Sequence, residues 1–372
     1  MQNTKTILIG GQAGQGPNLL MQLIGNALVK KGYFVFASRD YQSLIRGGHN
    51  FNTITFSSEK VHSNESKTDI LVCLDENTEK LHKQELKKSG FIIKSKEDES
   101  KENMYFAGKL FKILCLPFEL LEEQLKHLKN FEENITNAKN GYKTETKSCS
   151  LSFSKKENPN ATLINGTQGI TEGAIASGLD IYMAYPMTPA TPLLFELEPK
   201  QFNNNFLVLE LENEIAVANT ALGASMTGAK VIIGTSGGGF DLMTEALSMG
   251  GQAEIPLVCC LGSRPGPGTG VATYTMQGDL KLALNYGHGE FFHFLVSPGD
   301  PQEAIELTNQ CFYFSQKYKL PTILLYDKHI AEALYTRDNK EDKAKIIKSE
   351  KTTELKRYNS YEHTKYTLAI AT

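Results

Sequence analysis

The chain has 372 residues, of which 22% are charged and 40% hydrophobic, and its formal net charge is -3. This composition is typical of a globular protein, and the length predicts two or three domains at roughly 100–200 residues each. The nearly balanced charge lacks the basic excess of a nucleic-acid-binding protein. No apolar run approaches the ~20 residues of a membrane span, so neither nucleic acid nor membrane is an expected partner.

The six cysteines form no C-x-x-C pair, and most of them lie in apolar runs. Reduced, buried thiols are the ordinary state of such cysteines in a reducing compartment. The amino terminus also lacks the basic and then apolar pattern of a signal peptide. These features predict a cytoplasmic protein.

Residues 1–155 predict a first α/β domain. An apolar strand at 6–9 ends in a glycine loop at 10–16, and apolar residues then recur at helical spacing from 19 to 29. Strands at 34–37 and 69–74 predict a mainly parallel sheet with crossover helices. A charged helix is predicted over 120–131, and the polar stretch 137–158 is predicted to be a linker.

The glycine loop of the first domain leaves two interpretations open. Glycines let backbone N–H groups approach an anion at a helix start. The candidate phosphate contacts are the loop glycines and a nearby arginine: Gly11, Gly14, Gly16 and Arg46. The spacing fits neither the P-loop nor the Rossmann fingerprint. A tight packing turn therefore explains the glycines equally well.

Residues 160–335 predict a second, open α/β domain. Helical stretches alternate with six apolar strands, at 181–184, 206–209, 230–233, 256–260, 294–296 and 322–326. Most of these strands end near a polar or glycine-rich turn, where open α/β sheets place their ligands. The charged residues 336–372 are predicted to be either a poorly ordered terminus or, as the apolar ending favours, a linker and the truncated start of a C-terminal domain that is otherwise missing.

Three side chains with complementary chemistry follow these strands: Thr188, Glu214 and Arg264. A hydroxyl can bond a keto oxygen, and a guanidinium can bind a carboxylate through two parallel hydrogen bonds. Glu214 either bonds a ring nitrogen of a cofactor or simply stabilises the helix that it begins. The three glycines at 237–239 predict either close contact with a bulky group or a packing turn. As a set, the three side chains predict a site for a 2-oxo acid.

Five motifs in this order resemble the alpha subunit of the 2-oxoacid:ferredoxin oxidoreductases, in the arrangement with a gamma-type domain fused before the thiamine-pyrimidine domain. The motifs are YPMTP at 185–189, ENEIA at 212–216, RPGPGTG at 264–270, QGDL at 277–280 and GHGE at 287–290. The resemblance covers most of residues 5–335. It implies a subunit that takes part in the oxidative decarboxylation of a 2-oxo acid, such as 2-oxoglutarate or pyruvate, to an acyl-CoA and CO₂.

The resemblance also implies catalytic roles for the three side chains. Glu214 corresponds to the glutamate that bonds the aminopyrimidine of thiamine diphosphate and favours its imino tautomer. Thr188 corresponds to the threonine that contacts the 2-oxo acid, and Arg264 to the arginine that binds its carboxylate. Further cofactor contacts are implied at Tyr185, Pro186, Gly237, Gly238 and Gly239. Coenzyme A is the implied co-substrate, associated with the first domain.

Two motifs of a complete enzyme are missing from the sequence. It contains neither the GDG motif that holds diphosphate and magnesium nor a cysteine set for an iron–sulfur cluster. The resemblance therefore implies a beta subunit that completes the cofactor site, magnesium and clusters in partner subunits only, and ferredoxin as electron acceptor. Gly238 replaces a family proline, and the region near 95–103 is short. A non-catalytic remnant that only binds or assembles remains the second hypothesis.

Overall fold

The computed structural model describes residues 4–41, 48–95, 102–147, 157–340 and 342–349. The chain divides into two compact units. The first unit holds the described residues up to Ile164 together with Ala333–Asp342, and the second holds Asn165–Glu332 and the described residues from Lys343.

The strands of the described residues are β1 (Lys5–Gln12), β2 (Phe34–Tyr41), β3 (His49–Ser57), β4 (Thr68–Cys73), β5 (Leu86–Lys94), β6 (Ala161–Ile164), β7 (Ile181–Ala184), β8 (Leu207–Glu210), β9 (Val231–Ser236), β10 (Leu257–Ser263), β11 (Phe294–Val296), β12 (Pro321–Asp327) and β13 (Leu334–Asp338).

The helices are α1 (Pro17–Lys30), α2 (Glu76–His82), α3 (Asn103–Ile113), α4 (Phe118–Leu125), α5 (Phe131–Thr144), α6 (Gly166–Ala176), α7 (Thr191–Leu197), α8 (Gln201–Asn204), α9 (Glu214–Met226), α10 (Gly237–Gln252), α11 (Leu280–Leu284), α12 (Pro301–Tyr318) and α13 (Lys328–Glu332). Within the described ranges, none of them combines the length and the apolar character that a membrane crossing requires.

The first unit contains a seven-stranded sheet in the order β5-β4-β1-β3-β2-β13-β6. Only β1 with β4 and β4 with β5 pair in parallel, and the other four neighbouring pairs are antiparallel. The prediction of a mainly parallel sheet is therefore wrong for this unit. Only residues 42–48 separate β2 from β3, and a parallel crossover needs a dozen or more residues.

Apolar residues cover the first sheet on both faces. Ile7 and Ile9 of β1 point into the large core beneath α1 and α3, whereas Leu8 between them packs with Leu71 in a smaller cluster. This division follows from the alternation of side chains along a strand. A strand buried on both faces reads as a continuous apolar run, which is why β1 was predictable.

The predicted linker at 137–158 is wrong in its first part, because α5 extends over Phe131–Thr144. Its buried residues are Ile135, Ala138 and Gly141, spaced three apart, while most of the helix surface is polar. A helix with such a narrow apolar stripe resembles a linker in composition. Residues 148–156 of the predicted linker lie outside the described residues.

The second unit contains a six-stranded sheet in the order β11-β12-β10-β9-β7-β8, and all five neighbouring pairs are parallel. The six strands predicted for this region are all present. The core beneath them includes Val217 of α9, Ile233 of β9 and Phe240 of α10. An open parallel sheet presents the carboxyl ends of its strands along one edge.

The short strands β6 and β13 lie near the two ends of the predicted second domain. Both belong to the first sheet and not to the second. β13 pairs with β2 and with β6, so the division between the units falls at Ile164 and Ala333, a few residues from the predicted limits. Beyond β13, Ile347 forms two backbone hydrogen bonds with the Asn309 side chain, so the described end of the chain packs against α12 of the second unit.

Candidate active site

The predicted site residues lie at the carboxyl ends of four adjacent strands of the second sheet, β10, β9, β7 and β8. Arg264 follows β10, the glycine run follows β9, Thr188 follows β7 and Glu214 follows β8. From β7 the chain continues to β8 on one side, and from β9 it continues to β10 on the other side. The direction of connection therefore reverses between β7 and β9, and open α/β sheets bind ligands at such switch points.

Glu214 is the first residue of α9 and is only 8% exposed. The capping position belongs to Asn213, whose side chain accepts a hydrogen bond from the backbone N–H of Ala216 at 2.8 Å. Asn213 therefore provides the side-chain cap, whereas Glu214 is an acidic residue in the first turn of α9, so stabilisation of the helix by its charge stays open beside cofactor binding. In the part of the chain that the structure describes, the Glu214 carboxylate has no hydrogen-bond or ion-pair partner. Its carboxylate oxygens are not among the fully enclosed atoms that lack a partner, so water or a ligand can reach them and donate a hydrogen bond.

The glycine run is the first turn of α10, not a turn between strand and helix. A Cβ on Gly239 would lie 2.5 Å from Met187 Sδ and 2.8 Å from Glu214 Cγ, and it would also collide with Thr235 Oγ1. Only a residue without a side chain allows these groups to pack against α10. The bulky neighbours that the glycines predicted thus include side chains of this chain.

The other two glycines of the run contact the loop that follows β10. A Cβ on Gly237 would lie 3.0 Å from Asp279 Oδ1, and one on Gly238 would lie 3.1 Å from the carbonyl oxygen of Gly268. The first turn of α10 therefore touches both the loop after β7 and the loop after β10. Direct contacts of Gly237, Gly238 and Gly239 with a cofactor remain a prediction.

Arg264 and Thr188, which were predicted to act together, are in contact. Nη1 of Arg264 donates a hydrogen bond to the backbone carbonyl of Thr188 at 2.8 Å. Arg264 is 8% exposed, and burial lowers the pKa of its guanidinium while the negative charge of Asp279 opposes that change. An arginine keeps its proton in proteins, so the site carries a buried positive charge. The hydroxyl of Thr188 has no hydrogen-bond partner among the described residues.

Two polar side chains of the site received no role from the sequence. Asp279 accepts a hydrogen bond at Oδ2 from Ser263 Oγ at 2.8 Å, and Ser263 is the residue before Arg264. The sequence signal for Asp279 was the QGDL motif at 277–280. This motif singled out the residue but did not reveal which residues it contacts. Tyr185 and Pro186 lie in the loop after β7, where Tyr185 is exposed and Pro186 is half-buried.

Two family models match the chain, one over its first part and one over its second part. The model described as pyruvate ferredoxin/flavodoxin oxidoreductase matches residues 6–132. The thiamine-diphosphate-binding model of pyruvate flavodoxin/ferredoxin oxidoreductase matches residues 172–372. The chain belongs to the pyruvate ferredoxin/flavodoxin oxidoreductase family. The resemblance found in the sequence, and the predicted order of the two domain types, are confirmed.

Curated relatives of this family match over most of the chain. The 2-oxoacid:ferredoxin oxidoreductase subunit alpha of a Sulfolobus species is 27% identical over 427 residues, which cover 92% of this chain and 67% of that protein. The same subunit of Saccharolobus solfataricus is 27% identical, covering 95% and 71%. The 2-oxoglutarate synthase subunit KorA of Archaeoglobus fulgidus is 34% identical over 178 residues, covering 46% and 51%. The predicted class, an oxidoreductase subunit, is confirmed.

A solved structure of 2-oxoglutarate:ferredoxin oxidoreductase from Magnetococcus marinus, with 2-oxoglutarate, coenzyme A and succinyl-CoA bound, has the same fold. Its TM-score is 0.83 at 24% sequence identity, and the match covers 94% of this chain and 68% of that chain. The predicted fold class, α/β with a gamma-type domain before a thiamine-type domain, is confirmed.

In the first unit, the family's glycine loop is partly explained by packing. Gly11 lies in β1 and is buried, and a Cβ there would lie 2.7 Å from Gln15 Oε1 and 2.9 Å from Leu74 Cβ. Gly14 is exposed at φ 98° with no heavy atom near its Cβ position, and Gly16 is the N-cap of α1 at φ 83°. The fourth candidate phosphate contact, Arg46, lies outside the described residues.

Proposed function

We propose that this family member is the alpha-type subunit of a 2-oxoacid:ferredoxin oxidoreductase acting on 2-oxoglutarate or a pyruvate-like acid. The assembled enzyme decarboxylates the acid oxidatively to an acyl-CoA and CO₂ and transfers the electrons to ferredoxin. The observation that carries the proposal is the placement of Glu214, buried and without a described partner, at the same sheet edge as the Arg264–Thr188 pair.

The residues of the second unit fit the pyrimidine half of thiamine diphosphate. Glu214 is an acceptor on a buried residue, and the absence of a side chain at Gly239 lets its Cγ lie against the first turn of α10. In this role Glu214 holds a proton at the aminopyrimidine ring, with Tyr185, Pro186 and the glycine run around it. When bound, thiamine diphosphate supplies the nucleophile that attacks the keto carbon of the oxo acid.

Arg264 and Thr188 bind the substrate in this proposal. The guanidinium of Arg264 uses one N–H group for the backbone of Thr188, and its planar fork suits a carboxylate. The hydroxyl of Thr188 donates to the keto oxygen. Because Arg264 is buried, its charge acts through less water than a surface arginine would, which favours an anionic substrate.

A beta subunit covers this site in the proposal and supplies the contacts to diphosphate and magnesium. Exposed apolar side chains support such an interface, and they lie on α9, α10, α11 and the loop after β10: Ile215, Leu242, Val271, Tyr274 and Leu280. Exposed apolar side chains beside a polar site are typical of a surface that a partner covers. The iron–sulfur clusters and the contact with ferredoxin belong to partner subunits.

Coenzyme A is the acyl acceptor in the proposal, and the first unit contributes to its binding. Gly14 and Gly16 at the amino end of α1 support this assignment, because both have positive φ and Gly14 is exposed. A cytoplasmic location is part of the same proposal, supported by the buried free thiols of Cys73, Cys259, Cys260 and Cys311.

The experiment that tests the proposal uses the complex. The chain is co-expressed with a beta-type protein from the neighbouring reading frame, and reduction of a viologen dye is measured with 2-oxo acids and coenzyme A. Reduction that requires both substrates supports the enzyme. A complex that forms but reduces no dye with any 2-oxo acid would refute the catalytic function and favour the non-catalytic remnant.

A further inference from the structure

The carboxylate of Asp279 lies where three elements of the site meet. Its Oδ2 atom accepts the hydrogen bond from Ser263 Oγ, at the end of β10 and next to Arg264. Its Oδ1 atom lies 3.0 Å from the Cβ position of Gly237, so the carboxylate packs against the first residue of α10. A side chain at Gly237 would crowd this carboxylate.

The segment that carries Asp279 is held at a second point. Nε2 of Gln277 donates a hydrogen bond to Oδ2 of Asp327 at 2.8 Å, and Asp327 is the buried last residue of β12. Ser263 and Asp327 are paired residues of the neighbouring strands β10 and β12. Residues 277 and 279 are therefore bound to the paired ends of two adjacent strands, which fixes the segment next to Arg264.

We propose that Asp279 is a positioning residue for substrate decarboxylation: it fixes the backbone around Arg264 through Ser263, and its negative charge limits how strongly Arg264 binds the substrate carboxylate. The proposal deepens the proposed function and rests on it for the role of Arg264. The influence of the Asp279 charge on the pKa of Arg264 agrees with this arrangement.

The chemistry of decarboxylation explains why a negative charge at Asp279 favours the reaction. As the C–C bond to the carboxyl group breaks, its electron pair stays on the former keto carbon and neutral CO₂ leaves. The negative charge thus moves away from Arg264 during the step. A guanidinium without a balancing charge would stabilise the ground-state carboxylate more than the transition state, and such binding lowers KM without raising kcat. Asp279 reduces that ground-state stabilisation.

The test separates the charge of Asp279 from its hydrogen bond. Asp279→Asn removes the charge while its amide oxygen can still accept from Ser263, and Ser263→Ala removes the hydrogen bond while the charge remains. Glu198→Gln, at an exposed position after α7, is the control for losing one negative charge. The measurements on the complex are kcat, KM for the 2-oxo acid, and the dissociation constant of an unreactive oxalyl amide, oxamate or N-oxalylglycine, by calorimetry.

We expect Asp279→Asn to lower both KM and the dissociation constant of the oxalyl amide by about three- to tenfold and to lower kcat by a similar factor, as for one unbalanced charge in a partly buried site. Ser263→Ala should raise KM and should not tighten the binding of the oxalyl amide. A purely structural role would instead weaken binding in both variants. Weaker binding of the oxalyl amide to Asp279→Asn would overturn the proposal. Wild-type values of both KM and kcat in this variant would overturn it as well.

The outcomes also separate this inference from the proposed function. An inactive wild-type complex that still binds the oxalyl amide more tightly after Asp279→Asn would refute the enzyme reaction and retain the charge effect on Arg264. An active wild-type complex in which Asp279→Asn behaves like the Glu198→Gln control would refute the role of Asp279 alone. Thermal unfolding of each variant, followed by circular dichroism, identifies any variant that fails to fold.

Discussion

Substitution of Gly239 by alanine tests whether the first turn of α10 and Glu214 are packed as the structure has them. The added Cβ would lie 2.5 Å from Met187 Sδ and 2.8 Å from Glu214 Cγ, and real Cβ contacts are longer than 3.0 Å. One of these groups must therefore move. Thr235, which also faces this position, belongs to the buried strand β9 and has little room to move away.

The expected cost follows from two opposing effects. Overpacking a buried contact costs about 1–3 kcal/mol. Replacement of glycine by alanine within a helix recovers about 0.5–1 kcal/mol. The net expectation is a destabilisation of about 0–2.5 kcal/mol, and each kcal/mol lowers Tm by about 2–4 °C in a unit of this size. Activity should fall further, by about a hundredfold, because a displacement of about 1 Å in a catalytic group is costly.

The assay combines thermal unfolding of the isolated chain with dye reduction by the complex. Gly223→Ala is the matched control for stability, because Gly223 is an exposed helical glycine of α9 with no heavy atom within 4 Å of its Cβ position. This control should be neutral or more stable than the wild type. Wild-type stability together with wild-type activity in Gly239→Ala would show that Glu214 does not pack against α10 as described.

Three further predictions concern the same edge of the sheet. Glu214→Gln should lower turnover by at least about a hundredfold. The unfolding midpoint and the elution of the complex on gel filtration should stay unchanged, because the carboxylate has no described partner to lose. Retained turnover would contradict its role. Arg264→Lys should raise KM for the 2-oxo acid about tenfold with a smaller change in kcat, since lysine lacks the planar fork, and an unchanged KM would exclude carboxylate binding there. Asn213→Ala should destabilise the second unit by about 1 kcal/mol through loss of the cap on α9, measured by denaturant unfolding, and an unchanged midpoint would assign the capping elsewhere.

The second sheet was predictable because its central strands β9, β10 and β12 are buried along their whole length. Strands such as β9 and β10 are continuous apolar runs that end in polar or glycine-rich residues, and this contrast marks both the strand and its functional end. The first sheet carries a weaker signal. The edge strand β5 contains three lysines and a glycine, and β13 is mostly half-buried and ends in Arg337 and Asp338. Their pairing depends on neighbours distant in sequence, which no local pattern reveals.

The same distinction holds within the candidate site. Thr188, Glu214 and Arg264 follow their strands within four residues, so the topology alone places them at one edge. Asp279 belongs to a loop after β10, and its contacts with Ser263 and Gly237 exist only because that loop returns to the end of its own strand. Loop closure of this kind has no periodic signature in a sequence.

The first turn of α10 also bears on when the site forms during folding. It is touched by segments from Met187 in the loop after β7 to Asp279 before α11, so its contacts join residues far apart in the chain. Contacts with large sequence separation form only after the intervening chain has closed, and they slow folding. We therefore expect the packing around Glu214 to be among the last features of the second unit to form. A ligand held there would report on completed folding of the sheet rather than on any single helix or strand.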